Sequence, residues 1–391
     1  DFFDNLKQVS VTPPPKGVEE WDAYKDTRRK RMREIGSYAS ADFHDFPAEV
    51  TETGRIGAIT VDQVINAPTD RPWCVVGSWH DPHAPHLALR KHEPLYPLDS
   101  VALPEVDEVG FRSKHHRYQV KREAQGSLDA SEEDKKRFLA AYYAMVTGVD
   151  DQIGKVLEAL ESRGDAENTL IVFISDHGDF NWHYGMHKKD LVLVDHLLHV
   201  PCIIDGPKKI GSKTVTGTLS EHVDLVPTLL EYCGIDKPLG VQGKSLVPLL
   251  SGETDRHKDL VHAEICYTWW RSPFKTGKEF IEAWEKAQED RSTWPCEHSL
   301  GARFNIPGEH NRCIRTMEHK YIWYGDGFEE LYDLEQDPEE KRNVATDPDY
   351  AEVADRMRRQ LFETAVAAED PLSPRNEKDY RRRFADWITG A

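Results

Sequence analysis

Residues 168–206, NTLIVFISDHGDFNWHYGMHKKDLVLVDHLLHVPCIIDG, decide how the remainder of this chain is read. The run 169–175 (TLIVFIS) shows no polar alternation and is rich in β-branched residues, the pattern of a strand covered on both faces in a parallel sheet. Asp176 and His177 follow at its carboxyl end, the edge of an open α/β sheet where loops converge on ligands. They are the candidate metal ligands. The aromatic, Gly-containing loop beyond them carries His183, Gly185, His187, Lys188 and Lys189, and 200–204 returns as a second buried strand. A carboxylate, an imidazole and a lysine on one loop suit an anionic ester. By itself Asp-His-Gly is a weak signal, because an Asp that ends a strand commonly caps the next turn.

The length of the pattern carries more weight. Ser175-Asp176-His177-Gly178-Asp179, Gly185, Lys189 and His199-Val200-Pro201 come in the order and spacing that resemble the sulfatase branch of the alkaline phosphatase superfamily. The resemblance implies an α/β fold, a mostly parallel central sheet flanked by helices, with a small C-terminal antiparallel sheet and helix. It also implies a single divalent-metal site at Asp176 and His177, with calcium the usual ion. The imidazole ligand suits Mn²⁺ or Zn²⁺ better than an all-oxygen set would. Lys189 matches the family lysine that neutralises the sulfate, and Lys188 beside it is the second choice. Tyr184 stands where many relatives have histidine.

Upstream, 73–78 reads as a strand leading into Trp79-His80-Asp81-Pro82-His83-Ala84-Pro85-His86. Any one of these histidines is by default a satisfied turn residue, and Pro82 and Pro85 restrict which can point inward. Pro82-His83-Ala84-Pro85 is similar to the family's P-H-x-P, so His83 is implied to contact the sulfate and help protonate the leaving oxygen. His80 and His86 are secondary candidates.

The net charge of −19, from 69 acidic and 50 basic residues without long Lys/Arg runs, argues against a nucleic-acid partner. No apolar run is long enough to cross a membrane and no signal peptide is visible, so no membrane partner is expected. The start at Asp1 without Met suggests a chain that has lost its beginning, and the compartment stays open between cytoplasm and export. Of six widely spaced cysteines, most read as buried thiols, or at most one disulfide.

A charged helix is expected at 19–35 and another helix at 56–67, with a basic loop at 111–122. Ser131 opens a long core helix closed by Gly164, and its Asp150 and Asp151 read as solvent-facing or capping groups. In 220–230, similar to the family's S-x-x-D-L-x-P-T-L-L, His222 and Asp224 read as orienting groups. Strands are expected at 260–265, 312–316, 320–324 and 330–334, then a helix at 350–368. A sulfatase-like unit over 1–254 and a C-terminal α+β unit over 255–391 follow, with the aromatic run 267–275 set to influence substrate choice.

The departure from the family is the nucleophile. No C-x-P-x-R or S-x-P-x-R, the motif whose Cys or Ser becomes formylglycine in sulfatases, occurs in these residues. The expectation is a metal-dependent sulfuric ester hydrolase acting on a small sulfated ester, with a complementary N-terminal segment or a homo-oligomer as partner. The alternatives are a phosphonate monoester or phosphodiester hydrolase of the same superfamily, or a non-catalytic truncated relative.

Overall fold

The computed structural model describes residues 19–33, 41–125, 127–189, 192–207, 210, 217–266 and 310–369. The segment 11–17, the aromatic run 267–275, the helix expected at 279–288, Cys296 and the tail from 370 lie outside the described residues.

The chain opens with α1 (Glu19–Arg33), then β1 (Asp42–His44) and α2 (Glu52–Ile65). Thr51 caps α2 by accepting from Gly54 N at 3.0 Å. β2 (Leu87–Leu89) pairs parallel with β1. The expected basic loop at 111–122 is instead mostly helical, as α3 (Glu108–Phe111) and α4 (His116–Ala124), because Asp107 and His115 each cap a turn. The long helix α5 (Glu132–Arg163) has the expected capping box between Ser131 and Asp134, and Gly164 closes it in the left-handed region at φ 76°. Asp150 is exposed, and Asp151 binds Lys91 at 2.6 Å and His92 at 3.1 Å.

The hub strand is β3 (Ile171–Ile174), followed by α6 (Asp195–Leu198) and β4 (Cys202–Asp205). Here the pairing differs from the expected parallel one, since β3 and β4 are antiparallel. Neither is buried on both faces: Ile174 is 41% and Ile203 60% exposed. The physical reason is that packing reaches β3 from one side, where Ile171 joins Trp73 and Val75 on the Val64, Ala159 and Leu160 cluster of α2 and α5. The expected strand at 73–78 keeps a strand-like alternation of exposure but has no strand partner among the described residues. Cys74, Cys202 and Cys233 are exposed free thiols rather than buried ones, and Cys313 is free and buried.

Two short helices, α7 (Leu225–Tyr232) and α8 (Val247–Leu250), lead into the C-terminal antiparallel sheet. Its order is β5 (Val261–Cys266), β6 (His310–Arg315), β7 (His319–Trp323), β8 (Glu329–Asp333). The last helix, α9 (Ala351–Glu369), lays Ala354, Met357 and Leu361, spaced three and four apart, on Ile314, Tyr321 and Leu331.

The opposite face of this sheet matters more for the site. Cys313, Ile322, Tyr324 and Tyr332 share one core with Phe180, Tyr184, Met186, Val192, Leu193, Val194 and Leu197 of the hub region. A buried ionic knot reinforces that contact: Lys320 Nζ reaches Asp195 at 2.7 Å and Glu340 at 2.9 Å, and Arg315 Nε reaches Asp195 at 2.9 Å. Burial pushes the Glu340 carboxyl up to about 7 against the pull of Lys320. A carboxyl raised on folding contributes stability that is complete below its ordinary value of 4.5 and is lost as pH rises through 7. The melting temperature is therefore expected to fall as pH rises from about 4.5 to about 7, and Glu340→Gln to flatten that slope in a thermal-melt series; an unchanged slope would remove Glu340 as its source.

Candidate functional site

The hub residues converge through their tautomers. Nδ1 of His177 lies 2.9 Å from the Gly178 carbonyl, so that nitrogen carries the proton and Nε2 keeps its lone pair. Nε2 accepts from Lys189 Nζ at 2.7 Å and stands 3.4 Å from an Asp176 carboxylate oxygen. The Asp176 side chain is 85% exposed, which leaves the carboxylate open to a ligand.

Lys189 is placed by a residue that the sequence reading left without a role. The Asp179 carboxylate accepts the Lys189 backbone N–H at 2.6 Å, and burial raises the Asp179 carboxyl while that hydrogen bond and the Lys189 charge oppose the rise. Gln125 is the second such residue: its side chain accepts from His187 N at 3.0 Å and donates to the Lys188 carbonyl at 3.0 Å. Nothing in a lone glutamine signals this clamp.

The aromatic loop between them packs inward. Phe180, Trp182, Tyr184 and Met186 are all buried, Trp182 in the core of α5 and the others in the core of the C-terminal sheet. Asn181, Trp182 and Tyr184 take positive φ values of 47°, 75° and 54°, a strain of roughly 1–3 kcal/mol each that persists only because packing overdetermines it. Gly178 shows the same tightness, since a Cβ there would lie 2.1 Å from the His196 carbonyl oxygen. Gly178→Ala is expected to destabilise by about 1–3 kcal/mol, read by urea unfolding, as α6 is forced away from the hub.

The second loop meets the hub. His83 turns Nδ1 to the Ala84 carbonyl at 2.8 Å, its ring stacks on His80 at 4.4 Å, and its charge bears on Asp179. The charges of Lys189 and Asp176 bear on His80 in turn. Asp176, His177, Lys189 and His83 are thus brought together.

One of the substrate-binding candidates is not: Tyr184 is 6% exposed and its hydroxyl donates to the Glu339 carbonyl at 2.7 Å, which takes it into the C-terminal core. The charge of Lys188 bears on His86 and His187. His86 itself is a core residue against Phe138 at 4.4 Å, with burial pushing its imidazole down to about 3.

A divalent ion fits the hub in donor chemistry: one anionic oxygen and one imidazole nitrogen, 3.4 Å apart, with the ring oriented by a backbone carbonyl; the Nε2 lone pair is held here by the Lys189 ammonium, which an ion would displace. A second group, His115, His116 and Asp326, brings three ligand atoms within 4.8 Å of one another. There, Nδ1 of His115 accepts from Arg117 N at 3.2 Å and Nε2 donates to Asp326 at 2.9 Å. A metal on Nε2 would move the proton to Nδ1 and break the α4 cap, so this group reads as a tie between α4 and the β7–β8 turn.

With this geometry in hand, comparison with known proteins is specific. The Sulfatase family matches residues 54–235, and the family described as N-sulphoglucosamine sulphohydrolase, C-terminal, matches 288–367. Over residues 54–235 the chain is similar to the sulfatase family. An N-acetylglucosamine-6-O-sulfatase of Bacteroides thetaiotaomicron is 30% identical over 237 residues, covering 60% of this chain and 37% of that protein. An arylsulfatase of Clostridium perfringens is 29% identical over 246 residues, 62% of this chain and 43% of that protein. The chain thus spans less than half the length of these relatives. In fold it superposes on a phosphonate monoester hydrolase of Silicibacter pomeroyi with a TM-score of 0.69 at 22% identity, covering 90% of this chain and 70% of that one. No helix among the described residues is long and apolar enough to cross a membrane. The sulfatase family to which these residues are similar implies a divalent metal.

Proposed function

We propose that these residues form the anion-binding and metal-binding part of a sulfuric ester hydrolase acting on a small sulfated substrate. The observation that carries this reading is the 2.7 Å approach of Lys189 Nζ to His177 Nε2 beside the open Asp176 carboxylate, with His83 on the facing loop. Asp176 and His177 would hold the divalent ion, Ca²⁺ by family usage, with Mn²⁺ and Zn²⁺ compatible with the imidazole. That ion supplies polarisation of the sulfate oxygens. Lys189 neutralises charge that builds on the same oxygens, at a position set by Asp179 and Gln125. His83 points Nδ1–H at a carbonyl, so its Nε2 is the end that delivers a proton to the departing ester oxygen. The nucleophile is assigned to none of these residues. The two family matches fall on either side of residue 255 and support a division there.

A second reading has one observation in its favour, the fold similarity to phosphonate monoester hydrolase. The two readings use the same side chains and differ in the ester cleaved. Turnover of an aryl sulfate and of a phenyl phosphonate, each with Ca²⁺ or Mn²⁺, decides between them. Release of inorganic sulfate as the faster reaction supports the first, a faster phosphonate reaction supports the second, and turnover of neither by the native protein overturns both.

A further inference from the structure

Behind the His80–His83 stack stands Arg28. Nη2 of Arg28, on α1, stands 3.1 Å from Nδ1 of His80. A guanidinium has donors only, so Nδ1 is the bare nitrogen and the His80 proton sits on Nε2. The ring then lies nearly flat on His83, at 4.4 Å and 18°. The charges bearing on it are those of His83, Arg28, Lys189 and Asp176, which places it where the two loops meet. His80 is exposed and so reachable by a ligand.

The arrangement is anchored from behind. Arg28 forms an ion pair with Glu52, the first residue of α2, and Thr53 in the next position donates to Asp81, the neighbour of His80. The Trp79 indole N–H, on the other side of His80, is bound to the Thr53 carbonyl at 3.2 Å. A helix that lies outside the Sulfatase match at 54–235 therefore reaches into the site through one guanidinium.

We propose that His80 is a further substrate-binding residue, held as its Nε2–H tautomer by Arg28 and presenting that N–H to a non-bridging oxygen of the bound anionic group. His83 is left free to serve the ester oxygen. The division of labour follows from the geometry: Arg28 leaves His80 its Nε2–H, while His83 keeps Nδ1 on the Ala84 carbonyl and has its own Nε2 for the ester oxygen. This rests on the reading that the two loops take an anionic ester.

The test uses inorganic sulfate as the probe, with binding followed by NMR titration and the histidine tautomers by long-range proton–nitrogen correlation. Wild-type protein is expected to show His80 with a bare Nδ1, and Arg28→Gln to lose that signature. His80→Phe keeps the aromatic stack but lacks the donor, and is expected to weaken sulfate binding about tenfold to a hundredfold, the loss of one hydrogen bond to a charged group. In the catalytic assay the same variant should raise KM with little change in kcat. Sulfate binding that depends on Lys189 but is unchanged in His80→Phe would overturn the proposal alone. Absence of Lys189-dependent sulfate binding to the wild type would overturn the anion reading and the donor role with it. A proton on Nδ1 of His80 in the wild type would overturn the role of Arg28.

Discussion

Replacing Lys189 by alanine is expected to lower kcat/KM for an aryl sulfate by about 10²- to 10³-fold in the active protein that carries these residues. Its ammonium stands 2.7 Å from Nε2 of the candidate metal ligand His177, and its backbone N–H is anchored separately on Asp179. The fold does not depend on the ammonium, so the melting temperature should move little. Arginine is not expected to restore the rate, because a planar fork does not fit where a point charge sat. Steady-state kinetics with a thermal melt on the same samples checks both halves. Retained turnover in Lys189→Ala would remove this lysine from the site, and lost turnover with a lost fold would make it structural.

The largest expected loss of stability lies elsewhere, at Asp224. Its side chain is fully buried and its carboxylate accepts from Lys244 N at 2.8 Å, Glu221 N at 2.9 Å, Lys258 Nζ at 2.6 Å and His257 Nε2 at 3.1 Å. Burial alone would raise this carboxyl, but the hydrogen bonds from His257 and Lys258 outweigh it and hold the group down to about 2. Asp224→Ala leaves those donors facing an empty space and is expected to destabilise by about 3–5 kcal/mol in urea unfolding. Asparagine rescues little, since its amide turns a donor toward donors. In the wild type this contribution is complete above the ordinary value of 3.8 and is lost as pH falls through 2. A loss under about 1 kcal/mol would mean that the four partners find water instead.

Much of this was legible in the sequence, for identifiable reasons. The capping box at Ser131, the glycine stop at Gly164 and the short apolar and aromatic runs that become β6, β7 and β8 are local signals, and local signals survive folding. The sulfatase pattern at 175–189 likewise located the side chains that meet at the hub. What failed depended on neighbours. The run 169–175 is apolar enough for burial on both faces, yet β3 is half open, because composition reports what a strand tolerates and not what lies against it. Tyr184 was placed by its position in a motif, and the core of the C-terminal sheet claimed it. Asp179, Gln125 and the Arg28–His80 contact join residues distant in sequence, and no spacing rule links them.

The split of the hub loop between two cores bears on how such a protein can be recombined. Phe180, Tyr184 and Met186 belong with Cys313, Ile322 and Tyr332, while Trp182, next door, belongs with Phe138 of α5. The loop is stitched alternately to both halves of the chain, so neither half is an exchangeable module. A chimera that takes its C-terminal sheet from a relative must take residues 180–197 with it, or inherit a mismatched seam directly beneath Lys189.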